Sequence, residues 1–353
     1  MAETIGTAFR RLEPAPGIFR LVLPLPVHGV KSVNTYLLRD ESGSVLVDCG
    51  ASLPEAAGGH GLKDLTAALE ACGASLDEIR ALLVTHPHID HYGMACLLVN
   101  TTGAEVWMHP AGHLDFLAYA DPEGERARLR RVLTEHGVEA ADIETLADVI
   151  ILDWAPYLSG VVEGTRHLWG GECLRIGVRE WEVLFTPGHS RAHLCLWCAE
   201  ERILLSGDHL LPGISSPIEF HHGFDDDPLG QYLDSLEHIE ALAPLLVLPG
   251  HGRPFTDGAR RARAIIESKE RRMQRTLQAI EAEALTVKEI TERVYNKAVL
   301  DYQLKMAIAE ALAHLACLRK RREVVRSRRA DGAVIFKKKD RTMSAGDADS
   351  RTR

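Results

Sequence analysis

The stretch Val84-Thr85-His86-Pro87-His88-Ile89-Asp90-His91-Tyr92-Gly93 places three histidines and one aspartate within a few positions of each other. It follows an apolar run that is typical of a buried strand. Imidazole and carboxylate are common ligands of zinc-like metals. Side chains alternate along an extended segment, so His86 and His88 are expected to point the same way and share one ion. If the chain turns into a helix at Asp90, that carboxylate and His91 face a second position. One loop would then supply ligands for two metals.

Further histidines and an aspartate occur in glycine-containing turns, each directly after an apolar run that predicts a strand. These turns are Thr186-Pro187-Gly188-His189-Ser190, Ser206-Gly207-Asp208-His209 and Pro249-Gly250-His251-Gly252. Glycine permits sharp or positive-φ turns, which can direct the next side chain toward a common centre. A histidine-rich surface loop explains the first stretch alone but not the recurrence of such turns. The pattern therefore predicts a metal site assembled from separate loops.

These motifs resemble those of the metallo-β-lactamase superfamily. The run from His86 to His91 is similar to its second motif, and Val45-Leu46-Val47-Asp48-Cys49-Gly50 is similar to its first. The turns at His189, Asp208 and His251 resemble the third, fourth and fifth motifs. We interpret Asp48 as a residue that orients metal ligands, because metal sites need outer partners that hold their imidazoles.

Position by position, the resemblance implies a dinuclear hydrolase. One metal is then held by His86, His88 and His189. The second is held by Asp90, His91 and His251, and Asp208 bridges both. We expect two zinc ions per chain, with iron or manganese as the alternative metals. His209 is interpreted as structural or as a partner of a ligand.

The fold class expected from the order of strands and helices is α/β. Apolar runs at 18–25, 34–38 and 44–48 predict strands, 62–73 predicts a helix, and a second half of similar pattern spans 181–252. This arrangement, and the family resemblance, favour an αββα metallo-β-lactamase sandwich over residues 1–258. Residues 109–170 are interpreted as a helical insertion, with helices at 121–136 and 140–155. The insertion would form a lid or a substrate wall.

The C-terminal region differs from the rest in charge and in pattern. Residues 260–341 contain 22 Lys and Arg against 11 Asp and Glu, whereas residues 1–259 contain 17 against 37. Helices predicted at 257–280, from Thr286 and at 304–317, followed by a hairpin around Ala330-Asp331-Gly332, describe a small α+β winged helix over 259–341. The whole arrangement resembles the beta-lactamase-like protein 2 branch of the superfamily. Residues 342–353 are expected to be a disordered tail.

Composition constrains the cellular setting. The seven cysteines are odd in number and lie mostly in apolar runs, which is typical of reduced thiols. The N-terminus has no pattern of a secretory signal, and no stretch approaches the roughly 20 apolar residues of a membrane span. We therefore expect a cytoplasmic protein without a membrane partner. The oligomeric state stays open, and a homodimer is one alternative.

For the reaction, we expect a metal-bridging hydroxide as nucleophile, with Asp90 as the catalytic residue that orients it and accepts its proton. The strongly acidic core favours a thioester or an ester or lactone carbonyl over a polyanion. The alternative is an endoribonuclease or phosphodiesterase that holds nucleic acid through basic residues of the winged helix. Those residues are Arg319, Lys320, Arg321, Arg322, Arg326, Arg328, Arg329, Lys337, Lys338 and Lys339. The simpler interpretation of such charges is a solvated surface. A non-enzymatic regulator is disfavoured, because every ligand position is filled.

Overall fold

The structure is a computed structural model, and it describes residues 13–27, 30–53, 61–139, 142–143, 155–218, 227–295 and 301–339. The predicted tail at 342–353 lies outside the described residues. So does most of the helix predicted at 140–155.

The first half of the described chain forms a six-stranded sheet in sequence order. Its strands are β1 (Ile18–Val27), β2 (Val30–Leu38), β3 (Ser44–Val47), β4 (Ile79–Leu83), β5 (Glu105–Met108) and β6 (Arg166–His167). The first three strands pair antiparallel, and β3 to β6 pair parallel. The carboxyl ends of the parallel strands therefore meet at one edge, where the loop after β4 carries the histidine-rich stretch.

The second half forms another six-stranded sheet in the described chain, in the order β12-β11-β10-β9-β8-β7. Its strands are β7 (Cys173–Ile176), β8 (Arg179–Phe185), β9 (Leu194–Cys198), β10 (Ile203–Gly207), β11 (Leu246–Pro249) and β12 (Phe255–Thr256). Here β10 and β11 are parallel, and the other neighbours are antiparallel. The glycine-containing turns follow β8, β10 and β11, as the sequence predicts.

The two sheets pack face to face through one apolar layer. Val45 and Leu83 from the first sheet lie in the same cluster as Leu196 and Leu205 from the second. Trp181 is 1% exposed and is among the largest side chains in this layer. Because side chains alternate along each strand, the remaining strand residues face outward, where they need cover.

Helices provide that cover. On the first sheet, Leu65 and Leu69 of α1 (Gly61–Ala71) join Leu82 in one cluster. On the second sheet, α6 (Pro228–Leu242) and α7 (Gly258–Ala279) pack through Leu236 and Ile265. The layers thus follow the order helix, sheet, sheet, helix, and the αββα prediction is confirmed.

The chain turns into a helix near Asp90, as expected, but this first helix is short. Two helices occupy this stretch, α2 (Ile89–Tyr92) and α3 (Ala95–Thr102). The carbonyl of His91 accepts a hydrogen bond from the backbone N–H of Cys49 at 2.8 Å. That carbonyl is thereby engaged outside the helix, and the helical ladder is interrupted after its first turn.

The insertion begins with two helices, α4 (His113–Ala120) and α5 (Pro122–Glu135). The second confirms the helix predicted at 121–136, and Asp121 caps it by accepting from the N–H of Gly124 at 2.9 Å. Residues 166–167 then return to the first sheet as β6, so these two helices lie between neighbouring strands of that sheet.

The C-terminal region contains α7, α8 (Val287–Val294), α9 (Asp301–Lys320) and a hairpin of β13 (Val324–Arg328) and β14 (Val334–Lys338). The capping box at Thr286 is present, because its backbone N–H donates to Glu289 Oε2 at 2.6 Å and its hydroxyl accepts from the Glu289 N–H at 3.3 Å. Ile290 and Phe336 share one apolar cluster with the outer face of the second sheet. The predicted boundary near residue 258 falls at the start of α7, and packing is continuous across it. Within the described residues, each helix is too short or too polar to cross a membrane.

Candidate metal centre

The loops that follow β4, β8, β10 and β11 meet where the two sheets are packed together. Three groups of side chains there have potential ligand atoms within 4.8 Å of one another. The groups are His86, His88 and His189; His86, His91 and Asp208; and Asp90, His91 and His251. The structure thus brings together every residue that the sequence predicts as a ligand, from both sheets.

Asp208 lies between the first and the third of these groups. Its Oδ1 is 3.3 Å from His91 Nε2, and its Oδ2 is 3.3 Å from His251 Nε2. The same Oδ2 is 3.8 Å from His189 Nε2. One carboxylate therefore faces histidines of both groups, which is the placement that a bridging ligand requires.

The imidazoles are oriented by acceptors at their outer nitrogens. His189 Nδ1 donates to the carbonyl of Pro217 at 2.8 Å, and His251 Nδ1 donates to the carbonyl of Ser32 at 2.9 Å. His91 Nδ1 donates to Asp48 Oδ2 at 2.8 Å. Because these acceptors cannot donate, each Nδ1 carries a proton and each Nε2 is directed into the cluster.

The buried carboxylate of Asp48 supports both ends of this centre. Its Oδ1 accepts from the Thr85 N–H at 2.7 Å, and its Oδ2 accepts from the Thr85 hydroxyl at 2.8 Å. Since that hydroxyl gives its proton to Asp48, its oxygen accepts from His86 Nδ1 at 3.0 Å. The Nε2 lone pair of His86 then faces His88 Nδ1 at 3.1 Å. Asp48 thus acts directly on His91 and, through Thr85, on His86.

These observations test whether a metal fits. Nε2 of His189 is buried without a hydrogen-bond partner in the described structure. In this histidine-rich half of the centre, His86 Nε2 and an oxygen of Asp208 also face inward, and few protons are shared among these acceptors. Buried acceptors that face one another are unfavourable unless a cation lies between them. The donor set therefore fits divalent metal.

The electrostatics point the same way. Burial acts to lower the pKa of His251, but Asp208 and Asp90 outweigh it and raise that pKa to about 10. Burial also acts to lower the pKa of His91, but the neighbouring carboxylates outweigh it and raise that pKa well above its ordinary value. By contrast, burial and neighbouring imidazoles hold the pKa of His86 well below its ordinary value. Protons are thus favoured on His91 and His251, beside the carboxylates, when no metal is bound, and a metal must displace them.

Glycine serves different purposes before two of the ligands. Gly188 has φ +138°, a region that L side chains rarely adopt, as the sequence predicts for such a turn. Gly250 has no positive φ, and there the reason is space. A Cβ at Gly250 would lie 2.3 Å from Asp208 Oδ1 and 2.7 Å from His91 Cε1. The backbone approach at Gly250 is therefore part of the centre.

His193 was missed by sequence reasoning. It is fully buried, its Nε2 accepts from the Asp208 N–H at 3.1 Å, and its Nδ1 lies 2.9 Å from the Thr186 hydroxyl. The available signal was its place four residues after His189, at the start of a buried strand.

His209, interpreted as structural, packs its ring on Tyr232 with centroids 5.0 Å apart. Burial lowers the pKa of His209 to about 3.

Part of the insertion lies against the metal loops. The hydroxyl of Tyr119 in α4 donates to the carbonyl of Pro87 at 2.8 Å. Asp115 of the same helix is 3.9 Å from Arg191, which follows the ligand turn at His189. The helix α4 therefore lies beside the loops that carry the candidate ligands.

Aromatic side chains continue along the strand ends. The ring of His109 stacks on Phe185 with centroids 4.4 Å apart, and Trp169 packs against His109 at 5.5 Å. Trp169 is 63% exposed and Phe185 is 41% exposed.

Comparison with known proteins agrees with this architecture. The sequence profile described as "Metallo-beta-lactamase superfamily" matches residues 28–251, and "Metallo-beta-lactamase-like, C-terminal domain" matches residues 273–339. The chain is 26% identical to "Probable metallo-hydrolase YqjP" of Bacillus subtilis over 91% of this chain and 97% of that protein.

Two solved structures resemble most of the chain. The metallo-β-lactamase family protein TTHA1429 from Thermus thermophilus has a TM-score of 0.78 at 25% identity, covering 92% of this chain and 100% of that one. A β-lactamase domain protein from Burkholderia ambifaria has a TM-score of 0.77 at 28% identity, covering 92% and 93%. With its layered fold and its cluster of His and Asp side chains, the chain belongs to the metallo-β-lactamase superfamily of metal-dependent hydrolases.

Proposed function

We propose that the protein is a dinuclear metal-dependent hydrolase that acts on a thioester or an ester or lactone carbonyl. The observation that carries the dinuclear proposal is the position of Asp208. Its Oδ1 faces His91, and its Oδ2 faces both His251 and His189, so one carboxylate contacts histidines of both proposed ligand groups. Two ions would share this carboxylate, one held by His86, His88 and His189 and the other by Asp90, His91 and His251.

The donor set favours zinc, with iron and manganese as alternatives. All the proposed ligand atoms are imidazole nitrogens or carboxylate oxygens, which suit these ions. Cys49, adjacent to Asp48, is not a thiolate donor here. Its Sγ lies 3.4 Å from the carbonyl of His91, and burial raises the pKa of its thiol. A buried protonated thiol is a poor metal ligand.

Bound at these positions, two divalent ions would supply hydroxide at neutral pH and stabilise negative charge on the substrate oxygen. Asp90 is proposed to orient the attacking water and to accept its proton. Burial acts to raise the pKa of Asp90, but His91 and His251 outweigh it and hold that pKa at about 2. Asp90 is therefore ionised at neutral pH and can accept a hydrogen bond from the attacking water. His251 Nε2, 3.1 Å from Asp90 Oδ2, fixes the direction of this carboxylate.

Charge favours a small carbonyl substrate over nucleic acid. Residues 1–259, which contain every proposed ligand, contain 37 acidic against 17 basic residues. A polyanion would meet a repulsive field there. Trp169 and Phe185 offer an exposed aromatic surface that suits an apolar acyl group.

The alternative, phosphodiester cleavage, depends on the basic residues near the C-terminal hairpin. Several of them form ion pairs within the protein. Arg321 pairs with Glu270, Arg328 with Glu135, Arg329 with Glu289 and Asp331, and Lys338 with Glu281. Pairing reduces the net positive field available to phosphates. It supports the simpler interpretation of these charges as a solvated surface.

We further propose that the three C-terminal helices and the hairpin form a winged helix that shapes the centre from outside. We also propose that the substrate is a small molecule and that the protein is cytoplasmic, without a membrane partner. A homodimer is one alternative for its oligomeric state.

The test begins with metal analysis of purified protein. Turnover is then measured in parallel on acyl-CoA thioesters, lactones, bis-p-nitrophenyl phosphate and single-stranded RNA. Asp90→Asn is expected to lower turnover per bound metal by about 10²-fold or more, because proton transfer by a positioned side chain contributes that much. Asp257→Asn, at the N-cap of α7, is the control and keeps its capping oxygen.

Hydrolysis of thioesters or lactones with no cleavage of RNA is the expected result. Cleavage of RNA that weakens steeply with salt would replace the proposal by the nuclease alternative. Protein without bound metal, or full turnover by Asp90→Asn, would refute the proposed chemistry.

A further inference from the structure

Lys269 is a buried cation that the proposed chemistry does not use. It lies on α7, in the C-terminal region, and is 2% exposed. Its ammonium donates to Glu310 Oε1 on α9 and to the backbone carbonyl of Ser216, at 3.4 Å. A lysine is rarely buried to this extent unless it is paired, so its environment must hold it in one place.

The acceptor segment connects Lys269 to the metal centre. The hydroxyl of Ser216 donates to the backbone carbonyl of Asp208. The next residue, Pro217, accepts the hydrogen bond from His189 Nδ1 at 2.8 Å. Two consecutive residues thus contact two proposed ligands. Ser216 contacts the backbone of Asp208, and Pro217 contacts the ring of His189.

Glu310 is itself fixed from two other directions. Arg272 donates to its Oε2 at 2.9 Å, and the Tyr295 hydroxyl donates to the same oxygen at 3.2 Å. The guanidinium of Arg272 lies 5.0 Å from the centre of the Tyr295 ring. The Glu310 carboxylate is therefore held in place, and it orients the ammonium of Lys269 toward the carbonyl of Ser216.

Stability alone does not explain this arrangement. Replacing a buried ion pair by apolar side chains of similar volume is often neutral or stabilising. What apolar side chains would not supply is the donor to the Ser216 carbonyl. The distinctive contribution of Lys269 is therefore the position of the segment 216–217.

We propose that Lys269 and Glu310 are positioning residues through which the C-terminal helices hold His189 and Asp208 in their metal-binding geometry. The metal-binding part of this inference rests on the proposed function. The positional part concerns the segment 216–217 itself and can be tested without metal.

The main variant is the double replacement Lys269→Met with Glu310→Met, which removes both charges together and retains an apolar filling. Ser216→Ala is the second variant, because it removes the hydroxyl that donates to the Asp208 carbonyl and keeps the backbone carbonyl that accepts from Lys269. The matched control is Arg321→Met with Glu270→Gln, since this exposed pair joins the same two helices, its Arg321 immediately after the end of α9.

Two measurements are made on each variant. The first is hydrogen–deuterium exchange of the segment 209–218 in metal-free protein. The second is the zinc dissociation constant from competition with a chromophoric chelator, together with the visible spectrum of the cobalt-substituted protein. Loss of an outer partner of a metal ligand typically weakens affinity by about 10- to 100-fold, and we expect about 10-fold for these more distant residues.

Faster exchange in both test variants, with weaker zinc binding and an altered cobalt spectrum, is the expected result. Unchanged exchange in a folded double variant overturns the inference, whatever happens to the metal. Equal effects in the control pair overturn it too, because they indicate general loosening of the helices. If wild-type protein binds no metal yet exchange still rises, the positional inference stands and the proposed function fails.

Discussion

Asp48→Asn provides a direct test of how the centre is held together. The carboxylate accepts three hydrogen bonds, from the Thr85 N–H and hydroxyl and from His91 Nδ1, at 2.7 to 2.8 Å. Asparagine keeps the shape and tolerates the φ of +61° found at this position. It removes the charge and replaces one acceptor by an NH₂ donor. At the Oδ1 position that donor would face the Thr85 N–H, and at the Oδ2 position it would face both the Thr85 hydroxyl and His91 Nδ1; all three of these groups also donate.

The expected magnitude follows from these contacts. Hydrogen bonds to charged groups contribute about 1.5–3 kcal/mol each. Outer partners of metal ligands typically change affinity by about 10- to 100-fold, or about 1.4–2.7 kcal/mol. Because Asp48 serves His91 directly and His86 through Thr85, we expect the upper end of this range, with both bound ions affected.

The assay is a competition titration of zinc against a chromophoric chelator, with metal stoichiometry measured on the same samples. Asp257→Asn is the control, since Asp257 also has a positive φ, of 64°, and its side chain also accepts a backbone N–H. Affinity within about twofold of wild type in Asp48→Asn would refute the reasoning. So would an equal loss in the control.

Three further outcomes are expected. Gly188→Ala should destabilise the fold by about 2 kcal/mol or more in urea unfolding, because the residue has φ +138° and its Cβ would lie 2.4 Å from Tyr232 Cβ. Burial lowers the pKa of His314 to about 4, so between about pH 7 and 5 the unfolded chain takes up a proton that the folded chain does not. Stability should therefore fall by about 2 kcal/mol over that window, and His314→Phe should abolish this part of the fall in urea titrations at both pH values. Removing metal with a chelator should lower the free energy of unfolding by about 2.7 kcal/mol relative to protein at a hundredfold excess of metal over Kd, measured by calorimetry; equal melting temperatures with and without metal would contradict it.

The sequence predicted the candidate ligands, which the structure brings together, because each follows an apolar run that ends in a turn. His189 and His251 are found this way, since strand ends that share an edge bring their loops together. Asp48 was also predicted as an orienting residue, and its bond to His91 confirms it. Residue type and spacing carry this information, so the amino-acid sequence alone is enough to locate these side chains.

Other features had no such signal. The acceptors that orient His189 and His251 are backbone carbonyls of Pro217 and Ser32, and a carbonyl is present at every residue. The split between α2 and α3 depends on a bond from Cys49 to a distant carbonyl, which helical periodicity does not reveal. The partner of Lys269 depends on how α7 meets α9. Each of these is decided by tertiary packing.

The cross-sheet contacts show why the centre depends on the complete sandwich. His251 follows β11 in the second sheet, but its ring is oriented by Ser32 in β2 of the first. Nearby, the Asn34 amide donates to the carbonyls of Pro249 and Gly252 at 2.7 and 2.8 Å. Residues of the first sheet thus hold the loop of the second sheet that carries His251. Metal held between His86 and His189, or between His91 and His251, would add a further link across the same interface. Its binding energy would then contribute to docking of the sheets as well as to chemistry.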